Sequence, residues 1–240
     1  MMCMFSTGKG HRPLRTLHAL ALVGCLVLAG CDDDDHDPPD DEHDPPPAVE
    51  RLLEFERPIS FTVEPTHLLL AAGLLHVADG TAAIARYDAE SGAPIDPLPT
   101  GSVVHAMARR ATAEIVVVQA GDGPDAPQRV RTIDVADPTA PAIFDVGQLG
   151  GRCLDLVADG DRAIAIQQDG SAWLLDLDTG VSLRIAIEER VVAAALDGGR
   201  GFVATQDRVH AVDRATGAVG ASVEPVQRVT ELLVVGETLV

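Results

Sequence analysis

The chain holds no asparagine, one lysine (Lys9), one tryptophan (Trp173) and one tyrosine (Tyr87), and aromatic residues make up 3% of its 240 positions. So few rings exclude a core built on aromatic stacking, and the packing must rest on Val, Leu, Ile and Ala. Cations are scarce as well. Eighteen basic residues against 37 acidic ones give a net charge of −19. Nucleic acid is excluded as a partner, because its binding needs a basic footprint. The same charge argues against docking on anionic lipid by electrostatics alone. Asn is absent and Lys nearly so while Arg, Ala, Gly, Asp and Val abound, which reads as the bias of a GC-rich coding sequence. The shortage of lysine therefore carries no functional weight.

Long hydrophobic runs are also lacking. The one apolar stretch, from about Leu17 to Leu28, is shorter than the roughly 20 residues a spanning helix needs and is followed by an acidic tract. Lys9, Arg12 and Arg15 precede it, and small residues lead into Cys31, which is the layout of a secretory signal. An uncleaved anchor and an ordinary signal peptide are the other readings of this run. The ending Leu28-Ala29-Gly30-Cys31 resembles the lipobox of bacterial lipoproteins. That resemblance implies cleavage before Cys31, a diacylglycerol thioether on its sulfur and, usually, an amide-linked acyl chain such as palmitate. Two or three chains hold a protein to a bilayer far more firmly than one.

Cysteine usage agrees with export. Cys3 and Cys25 fall inside the signal, and a lipidated Cys31 would leave Cys153 with no partner for an intramolecular disulfide. Cys153 is expected to behave as a small buried hydrophobe. Without the signal the chain carries 15 basic and 37 acidic residues, a charge of −22. Residues 32–50 hold ten acids and no Arg or Lys, leaving −12 for the remainder.

Three segments follow: a signal over 1–30, an acidic Pro-rich tether over 31–50 and a repeat domain over 51–240. Charge repulsion and proline make the tether an extended, disordered spacer of about 3.1 Å per residue. His36 and His43 lie among its carboxylates, but a metal site needs a folded geometry that a linker lacks, so the tether reads as a spacer. Asp32–Asp35 resembles both an inner-membrane retention signal and a surface-export signal of lipoproteins. The expected location is the cell envelope: the periplasmic face of either membrane, or the cell surface.

From about Ile59 no window sustains a helical period, whereas aliphatic stretches of five to seven residues recur between Gly, Asp and Pro turns. Leading strands are expected at Leu68–Ala72, Val103–Met107, Cys153–Val157 and Val191–Leu196. Each is followed by two more strands, an Asp-x-x-x-Gly turn and a fourth strand. Those turns end at Gly92, Gly180 and Gly217, with Thr139 in place of Gly in the second unit. Asp caps such a turn with its carboxylate and Gly supplies positive φ at the exit.

Four-stranded units at this spacing predict an all-β fold, a β-propeller, with four blades and the start of a fifth in this chain. A sandwich or solenoid is the competing architecture. Tyr87–Pro94, Leu175–Gly180 and Val212–Val219 resemble the turns of quinoprotein (PQQ-type) propeller repeats. Val130–Pro141 resembles the LVIVD repeat. Quinoprotein propellers place a blade-locking Trp after each such turn, and the lone Trp173 departs from that pattern. No bound cofactor is expected. Val229–Val240 matches Leu68–Val77 as the start of a fifth unit, and the expectation is that Val240 interrupts a protein of six to eight blades.

No nucleophile elbow, phosphate loop, zinc-spaced Cys/His set or HExxH is present. His67, His76, His105 and His210 lie on different strands and read as structural or surface residues. Asp159/Asp161 and Asp176/Asp178 fall in turns, where Asp is expected. One insertion stands out: the turn between the middle strands of the second unit expands to Gly121–Gln128, against two or three residues elsewhere. In propellers that turn lies where the central channel opens. A plain loop is the simpler reading, with Asp122 and Asp125 as candidate ligand or partner contacts.

The reading that follows is a lipid-anchored, extracytoplasmic propeller that binds a protein or an envelope polymer without catalysis. Anchor plus fold resembles the propeller lipoprotein of the outer-membrane protein assembly machinery. The alternative is an envelope enzyme of the quinoprotein dehydrogenase or polysaccharide-active type, which needs acidic or histidine residues converging on the channel.

Overall fold

The computed structural model describes residues 65–123, 126–225, 227–235 and 238–239. The signal and tether, with Leu28, Ala29, Gly30 and Cys31, lie outside the described residues, as does Asp125. Among the described residues every regular element is a strand.

Aliphatic alternation bounded by turn residues yields four antiparallel meanders. Blade 1 comprises β1 (His67–Ala71), β2 (Leu74–Ala78), β3 (Ala83–Asp88) and β4 (Pro94–Pro99). Blade 2 comprises β5 (Val104–Ala111), β6 (Glu114–Gln119), β7 (Gln128–Asp134) and β8 (Ala142–Leu149). Blade 3 runs through β9 (Cys153–Asp159), β10 (Arg162–Gln167), β11 (Ala172–Asp176) and β12 (Ser182–Arg184). Blade 4 runs through β13 (Ala193–Asp197), β14 (Arg200–Ala204), β15 (Val209–Asp213) and β16 (Val219–Val223). In each sheet the strands pair in sequence order. A short hairpin, β17 (Val234–Val235) with β18 (Thr238–Leu239), begins a fifth unit.

The first strands of successive blades, β1, β5, β9, β13 and then β17, lie side by side as the innermost layer. The core is divided between blades rather than pooled. Ile84, Leu98, Ile115, Val117 and Ile133 pack between blades 1 and 2, and Val116, Val118, Val130, Ala163 and Leu175 between blades 2 and 3. Ile164, Leu174, Val191 and Val203 pack between blades 3 and 4. Each fully buried aliphatic side chain contributes about 1.5–3 kcal/mol relative to exposure. Both faces of an inner sheet are covered, which is why β6 and β10 read as continuous apolar runs.

The turns after the first and third strands share one face. Asp88, Asp176 and Asp213 cap the third-to-fourth turns. Their Oδ1 atoms accept from the amides of Ser91 at 2.7 Å, Thr179 at 2.8 Å and Thr216 at 2.8 Å. Gly92, Gly180 and Gly217 exit at φ of 70°, 74° and 69°. Hydrogen bonds from Ser91 and Thr216 hold the Asp88 and Asp213 carboxyls below the usual range. The second blade departs from the single-cap turn expected to close at Thr139. Its longer connection splits the capping between Asp134, which accepts from Ala136, and Asp137, which accepts from Thr139 at 2.8 Å.

Arginines on this face fasten each blade to the next. Arg86 donates to Asp96 O and, across the boundary, to Pro138 O at 2.8 Å. Arg110 donates to Gly160 O at 2.8 Å and pairs with Asp178 at 2.5 Å. Arg162 donates to Arg214 O at 3.0 Å.

Candidate functional site

The opposite face carries the crossovers between blades and the loops between second and third strands. In blades 1, 3 and 4 those loops are four residues long, 79–82, 168–171 and 205–208, one or two longer than the sequence suggested. In blade 2 the loop spans 120–127, and Gln128 belongs to β7 rather than to the loop. Asp122 is exposed and ion-paired with Arg129, so the pair closes the neck of the loop. Its carboxylate already has a cation. No group of three His, Cys, Asp or Glu able to hold a metal occurs among the described residues.

Beneath the loop, Gln128 links three elements. It is 5% exposed. Its Oε1 accepts from the amide of Cys153 at 2.7 Å, joining blade 2 to blade 3. Its Nε2 donates to Nδ1 of His105, which leaves His105 Nε2 to carry the ring proton in the neutral state. Burial lowers the His105 pKa, and the nearby Arg152 charge lowers it further. Burial also lowers His67, opposed by the Asp155 carboxylate. His67 Nδ1 is buried with no hydrogen-bond partner among the described residues.

His67 opens β1, His105 is the second residue of β5, and Cys153 and Asp155 lie at the start of β9. Three consecutive inner strands therefore bring two imidazoles, an amide, a carboxylate and a guanidinium to one end of the inner layer. Chain position alone made these histidines look scattered. Their matching places near the start of the first strand were the available signal.

A second network lies alongside. Gln119, 1% exposed, donates through Nε2 to Thr100 O at 3.1 Å and accepts at Oε1 from Arg131 at 3.0 Å. Arg131 continues outward to Asp145 at 2.6 Å. In blade 3, the equivalent Gln167 keeps Nε2 buried and unpartnered among the described residues. Hydrogen-bonding groups of both senses thus gather at this end of the inner strands. Burial pushes the Cys153 thiol up to about 12, so at neutral pH it stays protonated and supplies no nucleophile.

The paired turn carboxylates go elsewhere. Asp159 and Asp161 accept from Arg214, Asp161 and Asp176 pair with Arg162, and Asp178 pairs with Arg110. At the turn-face end of the inner strands, Arg109, Asp159, Leu196 and Asp197 line a polar hollow drawn from three blades.

No protein-family model and no curated protein matches this sequence. Solved structures do match its fold. BamB from Moraxella catarrhalis aligns at 19% identity and a TM-score of 0.53, over 72% of this chain and 56% of its own. The β-propeller domain of Myceliophteria thermophila Cps50 (Swd1) aligns at 12% and 0.56, over 72% and 60%. The computationally designed Ika8 protein aligns at 15% and 0.55, over 72% and 53%. The chain thus spans somewhat more than half the length of each. The fold is a β-propeller of four-stranded blades.

Proposed function

We propose that this chain is a lipid-anchored extracytoplasmic β-propeller that binds a partner protein or an envelope polymer without catalysing a reaction. In this reading residues 1–30 are a cleaved signal and Cys31 carries the acyl chains. Residues 31–50 hold the domain of 51–240 away from the bilayer. The motif Leu28-Ala29-Gly30-Cys31 supports the location. The periplasmic faces of the two membranes and the cell surface are all compatible with it.

The observation that carries the binding role is the crossover face. A loop of double length rises there beside buried, pre-oriented polar groups from three blades. The exposed members of that cluster, Arg152 and Asp155, are the groups a ligand can reach. No activated nucleophile or isolated carboxylate pair among the described residues favours the enzyme reading.

The test is to replace residues 120–127 by the four-residue turn Thr205–Arg208 and compare both proteins on envelope extracts. A partner retained by the parent and lost by the shortened variant, with unchanged circular dichroism, is the expected result. Equal retention by both, or retention by neither, contradicts the role assigned to this face.

A further inference from the structure

Among the described residues the outermost strand of each blade pairs on one side only, and such edges invite added strands unless they are blunted. Three of the four are blunted. β4 carries Pro94, Pro97 and Pro99, which remove backbone donors. β12 is three residues long. β16 is five residues long and offers Gly, Ala and Ser before Val223.

β8 is different. It runs for eight residues, contains no proline or lysine, and among the described residues hydrogen-bonds as a strand only to β7. Its first four residues, Ala142 to Asp145, are exposed. Phe144 is 57% and Ile143 41% exposed. A chain with five phenylalanines and one tryptophan places one of them on an open edge. Towards its far end the strand is closed off: a Cβ on Gly147 would come within 2.9 Å of Gly180 O of blade 3. Val146 O lies against Gly180 as well, so the accessible edge is about four residues, Ala142–Asp145.

We propose that this edge accepts an extended segment of a foreign protein as a fifth strand of blade 2. The site is separate from the crossover face and does not depend on it. Charge selects a foreign strand over a second copy. Each copy without its signal carries a net charge of −22 and would set its own Asp145 into the junction, and like charges across a strand pair are destabilising. Asp145 is an exposed carboxylate already held in place by Arg131 Nε at 2.6 Å. Strand alternation puts Ala142 and Phe144 on one face and Ile143 and Asp145 on the other, up to the register shift at Val146. The matching segment carries β-branched or aromatic residues opposite Phe144 and an Arg or Lys opposite Asp145. Backbone hydrogen bonds supply affinity and the alternating side chains supply register.

The test uses a fluorescein-labelled peptide, acetyl-Thr-Val-Arg-Val-Lys-Val-Thr-amide, titrated with the protein and followed by anisotropy. A twin with alternate amides N-methylated keeps charge and side chains but loses one hydrogen-bonding edge. The expected result is micromolar binding of the parent peptide, weakened about tenfold or more by N-methylation and by Phe144→Asp or Phe144→Ser. Both variants alter an exposed side chain, so thermal unfolding should be unchanged. Equal binding of the two peptides would mean charge attraction alone and would overturn the proposal. So would no binding up to about 1 mM, or a dimer by light scattering that Phe144→Asp dissociates.

Discussion

Arg162 and Arg214 clasp the boundary between blades 3 and 4 from both sides. Arg162 Nε donates to the carbonyl of Arg214 at 3.0 Å. Arg214 reaches back across, donating to Asp159 O at 2.7 Å and to the Asp159 carboxylate at 3.0 Å. Guanidinium suits this task because its planar fork serves carbonyls and carboxylates at once. Removing the Arg214 side chain strands the carbonyl and carboxylate of Asp159. Arg214→Ala should cost about 1–3 kcal/mol, read as a lower urea midpoint with unchanged slope. Arg200→Ala, whose pair with Asp197 is half-exposed on both sides, should cost under about 1 kcal/mol.

Gly180 and Gly217 share a backbone conformation, with φ of 74° and 69°, but not a neighbourhood. A Cβ on Gly180 would run into Val146 O of blade 2, whereas one on Gly217 would meet nothing nearer than Leu174 Cδ2 at 3.8 Å. Both alanine variants bear the left-handed penalty of about 1–2 kcal/mol. Gly180→Ala should lose clearly more stability than Gly217→Ala. Equal losses in denaturant titrations would mean the blade 2–blade 3 contact carries no weight.

Much of this fold was legible in the chain. Aliphatic alternation and the Asp88–Gly92, Asp176–Gly180 and Asp213–Gly217 turns are local signals, and they placed strands and blade boundaries to within a few residues. The arginine fasteners were not legible. Arg86 lies on β3, Arg110 on β5, Arg162 on β10 and Arg214 in a turn, so no repeat period marks them. The crossover end of the inner strands was half legible. The long loop announced itself by length, but Gln128 reads as ordinary loop polarity until pairing puts it beside Cys153 and His105.

His67, His76 and His105 are all lowered, chiefly by burial. A histidine held neutral by the fold contributes stability that is fully present above its ordinary value of about 6.5. That stability is lost as pH falls through the folded-state value. The melting temperature should therefore hold above pH 7 and decline from about pH 6.5 downward, before the capping aspartates titrate. His76 is 0% exposed with both ring nitrogens unpartnered among the described residues, so His76→Leu should flatten that decline. An unchanged profile in the variant would remove His76 from the account.

Cys153 should be silent to thiol reagents in the folded protein. It is 1% exposed, its thiol is pushed up to about 12, and Sγ donates to Asp155 O at 3.1 Å. Peptide-resolved mass spectrometry after iodoacetamide treatment should find Cys153 unmodified in buffer and alkylated in denaturant. Rapid native labelling would place the residue on an open surface.

The anchored propeller is tested most directly by the mass of the N-terminal peptide of the native protein, extracted from membranes with detergent and digested. The account predicts that this peptide begins at Cys31 and carries a diacylglycerol thioether, with or without an amide-linked acyl chain. An unmodified Cys31, or a chain that still begins upstream of it, would contradict the anchor and the envelope function built on it.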